Sequence, residues 1–197
     1  MRIRCMFLLL VTLCLASCQF RPPPPPRDDV TNRTPATGAV QPTATDPTAF
    51  TLSSVAVQNG GMLPPTYTCD GSGDTLPLSW TNAPAATASY AIVMHHTAAA
   101  DDVHWYWVLY NIPAAVTQLA PNSSGVGTLG TNSVNDRNEY APPCSKGPGP
   151  KTYTYTIYAL SAPAQFDTPQ VDRDTLLDAI TTTTLASTTL DVVYSRP

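Results

Sequence analysis

Charged residues are scarce in this sequence. Asp, Glu, Lys and Arg together make up 12% of its 197 residues, and the formal net charge is −4 at neutral pH. Proteins that bind nucleic acids neutralise phosphates with a basic stripe of Lys and Arg side chains, and the sequence has no such stripe. We therefore expect no nucleic-acid partner.

Catalytic motifs are lacking as well. The sequence has no Gly-x-Ser-x-Gly nucleophile elbow and no His-Glu-x-x-His motif. Residues 147–152 have only a superficial likeness to a phosphate-binding loop, because Pro150 stands where that loop has a glycine and lacks the backbone N–H donor. Nothing in the spacing of the many serines selects a nucleophile with its base. We therefore expect a protein that is not an enzyme and needs no cofactor.

Histidine is rare, and all three histidines fall within ten residues, at His95, His96 and His104, with Asp101 and Asp102 between them. Such a cluster raises the question of a metal site. Adjacent residues of a strand point to opposite faces, so His95 and His96 cannot both be ligands while the strand continues. No His or Cys pair has a recognised ligand spacing. The sequence therefore predicts no metal.

Glutamate and lysine are scarce, whereas Thr, Val, Pro and aromatic residues are plentiful. This composition favours strands and turns over long helices and predicts an all-β fold. After residue 50, short apolar or alternating runs are separated by Gly, Pro, Asn and Asp, the pattern of a β-sandwich. The predicted strands are residues 50–57, 89–94, 105–112, 152–160 and 188–194.

Only residues 171–182, near the C-terminus, have a helical pattern. Asp172 and Asp174 stand near the start, where acidic groups interact favourably with the helix dipole. The apolar face is formed by Leu176, Leu177 and Ile180. The sequence therefore predicts one short helix.

The first 18 residues have the three parts of a secretory signal. Arg2 and Arg4 precede an apolar run over residues 5–16, which is too short to span a bilayer permanently. The ending Leu-Ala-Ser-Cys resembles a bacterial lipobox, in which Cys18 is lipidated, for example with palmitate, and becomes the first mature residue. The alternative is an ordinary cleavable signal with a chance cysteine. The position directly after Cys18 is Gln19 and not Asp, which resembles lipoproteins that are sorted to the outer membrane. We therefore expect a lipid-anchored protein of the bacterial cell envelope, and by this resemblance one in the outer membrane.

Residues 19–49 contain five consecutive prolines and almost no large apolar side chains. Such a segment cannot build a core, and its proline run favours extended polyproline II. We expect a disordered linker that holds a single domain, residues 50–197, away from the membrane.

Two cysteines remain once Cys18 and the two signal cysteines are set aside. These are Cys69 and Cys144, and an exported protein meets an oxidising compartment. We expect them to form a disulfide, and the alternative is a pair of buried free thiols.

Several blocks of the domain occur in the order typical of one family. They are Tyr67-Thr68-Cys69-Asp70-Gly71, Leu76-Pro77-Leu78-Ser79-Trp80, Ser89-Tyr90-Ala91, Trp107-Val108-Leu109-Tyr110-Asn111-Ile112-Pro113, Pro143-Cys144 and Tyr158-Ala159-Leu160. Together they make residues 50–197 resemble the phosphatidylethanolamine-binding, or Raf-kinase-inhibitor-like, family. The resemblance implies an antiparallel β-sandwich with a small anion-accepting pocket at one end.

The polar residues of the family pocket have changed here. The resemblance places His96, Thr97 and Ala98 where the family has Asp-Pro-Asp, and Tyr106 where it has a pocket histidine. Lys151-Thr152-Tyr153 replaces His-Arg-Tyr, so a cationic lysine stands in for a titratable histidine. Strand alternation puts His104 on the face of Tyr106, and Lys151 on the face of Tyr153. The candidate ligand-binding residues are His95, His96, His104, Tyr106, Pro143, Lys151 and Tyr153.

These residues offer hydroxyl, imidazole and ammonium donors, which suit a small anionic or phosphorylated ligand. One alternative is a degenerate pocket whose polar side chains simply face solvent. Another is a protein-interaction or inhibitor module that acts on an envelope protein partner through the loops of residues 121–140. The sequence names neither the ligand nor the partner.

Overall fold

The computed structural model describes residues 46–99, 102–147 and 149–196. The predicted signal sequence, the lipidation site Cys18 and almost all of the predicted linker lie outside these ranges. Within them, the one α-helix is far too short to cross a membrane.

The described residues form nine strands, a 3₁₀ turn at Pro65–Tyr67 and one α-helix, α1, at Arg173–Ile180. The strands are β1 Thr51–Ser53, β2 Gly61–Met62, β3 Leu78–Thr81, β4 Ser89–Ala99, β5 Asp102–Pro113, β6 Gln118–Leu119, β7 Thr128–Leu129, β8 Lys151–Leu160 and β9 Thr184–Tyr194.

Two sheets pack face to face. The large sheet has the order β2-β9-β8-β4-β5-β7, and the small sheet has the order β1-β3-β6. All pairs are antiparallel except the short edge pair of β2 and β9, which is parallel. The predicted all-β sandwich with a short C-terminal helix is confirmed. The sandwich was expected to be antiparallel, and among the described strands only the pair of β2 and β9 differs from that expectation.

The core has two layers because both faces of the large sheet are covered. On β4, Tyr90, Ile92 and Met94 pack between the two sheets, while Ala91 and Val93 face α1. Alternation along a strand sends successive side chains to opposite faces, so a strand covered on both sides reads as a continuous apolar run. Burying a large aliphatic side chain contributes about 1.5–3 kcal/mol.

The helix begins where the sequence supplies a cap. The Asp172 carboxylate accepts a hydrogen bond from the Thr175 backbone N–H at 2.8 Å, which satisfies one of the unpaired donors of the first turn. Leu176 and Ile180 are buried against the large sheet. The predicted helix is confirmed, although it is two residues shorter at each end than residues 171–182.

The predicted strand at residues 50–57 is wrong beyond Ser53. The Ser54 hydroxyl accepts a hydrogen bond from the Ala56 N–H at 3.2 Å, and the turn this makes leaves the Val55 side chain 93% exposed. The short strands β2, β3, β6 and β7 were not expected either. Two strands of the large sheet are longer than predicted: β4 continues to Ala99, and β9 begins at Thr184. Both extensions reach beyond the apolar runs into more polar sequence.

Candidate functional site

The polar extensions of β4 and β5 form one wall of a cavity of about 440 Å³, here called the hairpin cavity. Its other walls come from the start of β8 and from the loop before it. Its lining residues are His96, Ala98, Asp102, His104, Tyr106, Ser133, Val134, Pro142, Cys144, Lys146 and Lys151.

A β-bulge in β5 sets the positions of the aromatic residues. Met94 pairs with Trp107 and His95 with Trp105, so Tyr106 is an extra residue with no partner on β4. A bulge of this kind places two consecutive residues against one partner and disturbs the alternation. Tyr106 therefore packs toward the interior between the sheets, as Trp107 does, and it also lines the hairpin cavity.

His96 and His104 are direct partners across β4 and β5. His96 Nδ1 lies 2.8 Å from the Thr152 carbonyl oxygen, and since a carbonyl only accepts, Nδ1 donates and carries the proton. His104 Nε2 lies 3.0 Å from an Asp102 carboxylate oxygen and donates to it. Each imidazole thus has one nitrogen fixed by the protein, which orients both rings at the cavity wall.

Tyr153 lies beneath the cavity and is fully buried. Its ring is 5.3 Å from the ring of Tyr106 and 5.5 Å from that of His96, measured between centroids. Burial raises the pKa of both phenols above the usual value, so both remain neutral across the physiological range. Tyr106 therefore offers a neutral hydroxyl to the cavity, and Tyr153 supports the two rings that line it.

Both lysines of the chain, Lys146 and Lys151, line this one cavity. The Lys151 ammonium donates to the Lys146 carbonyl, which ties the start of β8 to the loop that precedes it. An ammonium has three donors, so further N–H groups of Lys151 are left for other acceptors. Against these two cations the lining offers one carboxylate among the described residues, that of Asp102.

The loop wall is held by a covalent link. Cys69 and Cys144 form the predicted disulfide, and Cys144 lines the cavity. On the other side of the link, Arg196 donates to the Asp70 carboxylate and, at 3.4 Å, to Cys69 Sγ. The Tyr194 hydroxyl donates to the same carboxylate. The loop is therefore fixed to both the 3₁₀ segment and the end of β9.

The structure brings together five of the seven candidate residues. His96, His104, Tyr106 and Lys151 line the cavity, with Tyr153 beneath them. His95 is placed elsewhere, because it directly precedes His96 in β4 and therefore lies on the opposite face of the strand, toward Arg173 of α1. Pro143 is buried and does not line the cavity. Its carbonyl oxygen accepts a hydrogen bond from the Cys69 N–H at 3.0 Å.

Sequence reasoning missed Lys146 and Asp102 as lining residues. Asp102 is the first residue of β5, three residues before the start that the apolar pattern predicted, and Lys146 lies in the loop before β8. The signal that could have found Lys146 is its position two residues after Cys144, because the disulfide fixes this loop against the domain.

The fold and the cavity define a β-sandwich binding module, and comparison with known proteins places it in a family. The family model for phosphatidylethanolamine-binding protein matches residues 53–195. A UPF0098 protein of Methanothermobacter thermautotrophicus is 30% identical over 149 residues, which cover 74% of this chain and 98% of that protein. The UPF0098 protein YbcL of Escherichia coli is 31% identical over 129 residues, 57% of this chain and 69% of YbcL.

Solved structures agree with this placement. The phosphatidylethanolamine-binding protein homologue CT736 from Chlamydia trachomatis superposes with a TM-score of 0.70 at 25% identity, covering 76% of this chain and 99% of CT736. E. coli YbcL gives a TM-score of 0.68 at 21% identity, covering 75% and 99%, and shows the same fold. The chain belongs to the phosphatidylethanolamine-binding protein family. Membership implies a ligand-binding or inhibitor-like module.

Proposed function

We propose that this protein binds a small anionic or phosphorylated ligand in the hairpin cavity and is not an enzyme. The observation that carries the proposal is the convergence of both lysines of the chain on this cavity, together with two imidazoles and a neutral phenol. Charged N–H donors make short, strong hydrogen bonds to phosphate and carboxylate oxygens. Such donors seldom converge on one concave surface without a ligand to share them.

The single carboxylate refines the class of ligand. Asp102 lies at the same cavity and accepts a hydrogen bond from His104, so its charge is partly engaged. A ligand that pairs a phosphate with an ammonium group can place its phosphate on the lysines and its ammonium toward Asp102. Phosphoethanolamine has this pairing, and inorganic phosphate has the anionic half alone.

The test is calorimetric titration of the full chain in detergent with phosphate and with phosphoethanolamine. Lys151→Met should weaken binding of both about tenfold, because a hydrogen bond to a charged group contributes about 1.5–3 kcal/mol. Asp102→Asn should weaken phosphoethanolamine more than phosphate. Arg137→Met, which removes an exposed cation that does not line the cavity, is the matched control and should bind as the parent does. Equal affinity of Lys151→Met and the parent for both ligands would exclude the proposal.

The location in the cell forms a second part of the proposal. The lipobox motif supports attachment through acyl chains on Cys18, and the proline-rich residues 19–49 give the domain reach from a bacterial envelope membrane, with the outer membrane favoured by Gln19. Labelling of cells with a palmitate analogue should mark the parent and leave Cys18→Ser unmarked. Membrane fractionation should then find the variant in the soluble fraction.

An inhibitor-like module acting on an envelope partner is the alternative function. Residues 121–140 carry two exposed apolar side chains, Leu129 and Val134, which are 39% and 55% exposed. A photo-crosslinking residue at position 129 should trap one defined protein in cells if this surface binds a partner. The exposed Val55, at a different part of the domain, is the control position and should trap none.

A further inference from the structure

The disulfide in the wall of the hairpin cavity joins two cysteines with different surroundings. Cys144 lines the cavity together with Lys146 and Lys151, whereas Cys69 does not line it. The Sγ atom of Cys69 instead accepts a hydrogen bond from the Arg196 guanidinium at 3.4 Å. Both cysteines are half-buried, so neither is sealed within the core. Anion binding by the lysines gives no role to a cysteine at this wall.

The position of Cys144 makes it the cysteine that a molecule in the cavity meets. In thiol–disulfide exchange a thiolate attacks one sulfur of a disulfide and forms a mixed disulfide, and the rate depends on access to the sulfur. The hairpin cavity has a volume of about 440 Å³, enough for a small organic disulfide. A molecule inside it borders Cys144 and not Cys69. We therefore expect exchange with small compounds to take place at Cys144.

The charges of the cavity select the class of compound. Lys146 is two residues after Cys144, and Lys151 lines the same cavity. Cations that line a cleft raise the local concentration of anions, and a cation near a cysteine also favours the reactive thiolate. Among the described lining residues only Asp102 opposes these charges, and its carboxylate accepts a hydrogen bond from His104. The cavity therefore favours a thiol compound that carries a carboxylate or sulfonate group.

Cys69 has surroundings that suit a second step, in which its thiolate displaces the bound compound. The positive charge of the Arg196 guanidinium favours the thiolate form of Cys69. Asp70 holds this guanidinium in place through hydrogen bonds from Arg196 Nε at 2.7 and 3.0 Å. The Asp70 carboxylate opposes a thiolate, but it also accepts a hydrogen bond from the Tyr194 hydroxyl. Of these two charges, that of Arg196 has the direct contact with the sulfur.

The two cysteines should remain adjacent when the bond between them is open. The Cys69 N–H donates to the Pro143 carbonyl at 3.0 Å, and the Lys151 ammonium donates to the Lys146 carbonyl. Neither contact involves sulfur, so both can hold the loop beside Cys69 in the reduced protein. Closing the bond is then an intramolecular step between neighbouring groups, which is fast for that reason.

From these contacts we propose that the hairpin cavity is a site of thiol–disulfide exchange, in which Cys144 forms a mixed disulfide with a small anionic thiol compound and Cys69 resolves it. In the reduced protein, the Cys144 thiolate attacks the disulfide form of the compound, a new S–S bond forms and one thiolate of the compound leaves. The Cys69 thiolate then attacks the Cys144 sulfur, and the second thiolate leaves. The two cysteines are oxidised to the disulfide, and the compound is reduced to two thiols, which take the two protons that the cysteines release. This inference goes beyond anion binding, although it relies on the two lysines of the proposed anion site.

The test compares two small disulfides of similar size, the anionic disulfide of mercaptoethanesulfonate and the neutral disulfide of mercaptoethanol. Cys69→Ser and Cys144→Ser variants of the full chain, kept in detergent and checked for folding by circular dichroism, each leave one of the two cysteines free. Peptide mass spectrometry follows the mixed disulfide on that cysteine over time. The anionic compound should modify Cys144 in the first variant about tenfold faster than Cys69 in the second. It should also modify Cys144 faster than the neutral compound does.

The lysines provide a second arm of the test. In the Cys69→Ser background, Lys146→Met together with Lys151→Met should lower the ratio of the anionic to the neutral rate about tenfold. Arg137→Met, which removes an exposed cation that does not line the cavity, is the matched control and should keep the ratio. The reduced parent needs no cysteine substitution. It should close its disulfide faster with the anionic compound than with the neutral one, through an adduct on Cys144.

Two results would overturn the proposal. One is an equal rate of modification of Cys144 and Cys69 in the folded variants, and the other is a rate ratio that the two lysine substitutions leave unchanged. Calorimetric titration of the oxidised parent with phosphate tests the proposed function separately. A protein that binds phosphate but reacts equally at both cysteines has an anion site and no exchange site. A protein that binds no phosphate but reacts selectively at Cys144 has the exchange site without the proposed function.

Discussion

Tyr106 and Trp107 are consecutive residues of β5, yet both side chains pack on the face of the large sheet that meets the small sheet. The bulge at Tyr106 is the cause, because an extra residue cancels one step of the strand alternation. Tyr106 consequently lines the hairpin cavity, and Trp107 contributes to the lining of a separate cavity of about 420 Å³ beside residues 122–127. One irregularity in β5 therefore directs two consecutive side chains to the same side of the sheet, where they border two different cavities.

Replacing Tyr106 by histidine should make anion binding depend on pH. An imidazole titrates near pH 6.5, whereas the Tyr106 phenol stays neutral because burial raises its pKa. Sulfate is a suitable probe, since its charge is constant in this range. Tyr106→His should bind sulfate about tenfold more tightly at pH 5.5 than at pH 8, relative to the parent at the same two values. Tyr106→Phe is the control, and an identical pH profile for the His and Phe variants would contradict the prediction.

The disulfide should matter for both stability and binding. Cys69 and Cys144 are 75 residues apart, and closing a loop of that length stabilises a protein by about 4 kcal/mol in the chain-entropy account. A Cys69→Ala/Cys144→Ala double variant should therefore lose about that free energy of unfolding, measured with urea. Because Cys144, Pro142 and Lys146 share one wall of the hairpin cavity, phosphate affinity should fall as well. If the folded double variant kept its full affinity for phosphate, the disulfide would not be needed to hold this wall of the hairpin cavity in place.

Much of this architecture could be predicted from the sequence, and the exceptions have physical reasons. The long strands are easy to recognise in the sequence, because each either buries both faces and forms a continuous apolar run or alternates between buried and exposed residues. These strands are β4, β5, β8 and β9. The strands of the small sheet have two to four residues, too few for a period to show. Val55 looked like a strand residue because it is β-branched, but the Ser54 turn overrides that local preference.

The candidate site was predictable where strand alternation governs it. His96, His104, Tyr106 and Lys151 lie on strand ends whose register follows from the family blocks. Alternation also places His95 on the face opposite His96, and the structure follows that rule rather than the grouping of both histidines in one pocket. Lys146 lies in a loop whose course depends on the predicted disulfide and also on the hydrogen bond that its carbonyl accepts from Lys151, which a single-sequence pattern does not encode.

The ion pair of Asp70 and Arg196 should stabilise the domain above pH 3.8 and make its stability fall in strong acid. Hydrogen bonds from Arg196 and Tyr194 lower the pKa of Asp70 from 3.8 to about 2. A carboxyl with a lowered folded-state pKa stabilises the folded protein fully above pH 3.8, and this contribution is lost as the pH falls through about 2. Asp70→Asn should remove this part of the acid dependence. Both side chains are solvent-exposed, so the difference between parent and variant should shrink in high salt, as acid titrations followed by circular dichroism can measure.

His95 should make the domain less stable in mild acid. Burial, and then the nearby Arg173, lowers its pKa below 6.5; the charge of Asp191 opposes this shift, and that of His96 on the other face of β4 adds to it. Since the unfolded chain takes up a proton more readily than the folded one, stability is complete above pH 6.5 and falls as the pH drops below it.

His95→Leu should keep the packing against α1 and abolish the loss of stability between pH 7.5 and pH 5.5, as urea unfolding at the two values would measure. The structure also gives a reason to expect no penalty at neutral pH. His95 Nδ1 is buried without a hydrogen-bond partner among the described residues, so an apolar side chain of similar size removes an unsatisfied polar atom. His104→Leu is the matched control, because His104 is exposed at the hairpin cavity and does not face the helix. It should retain the acid sensitivity of the parent. If His95→Leu retained it as well, the proton uptake that destabilises the domain would have to occur elsewhere, and the half-buried imidazole on the helix face would be only a packing residue.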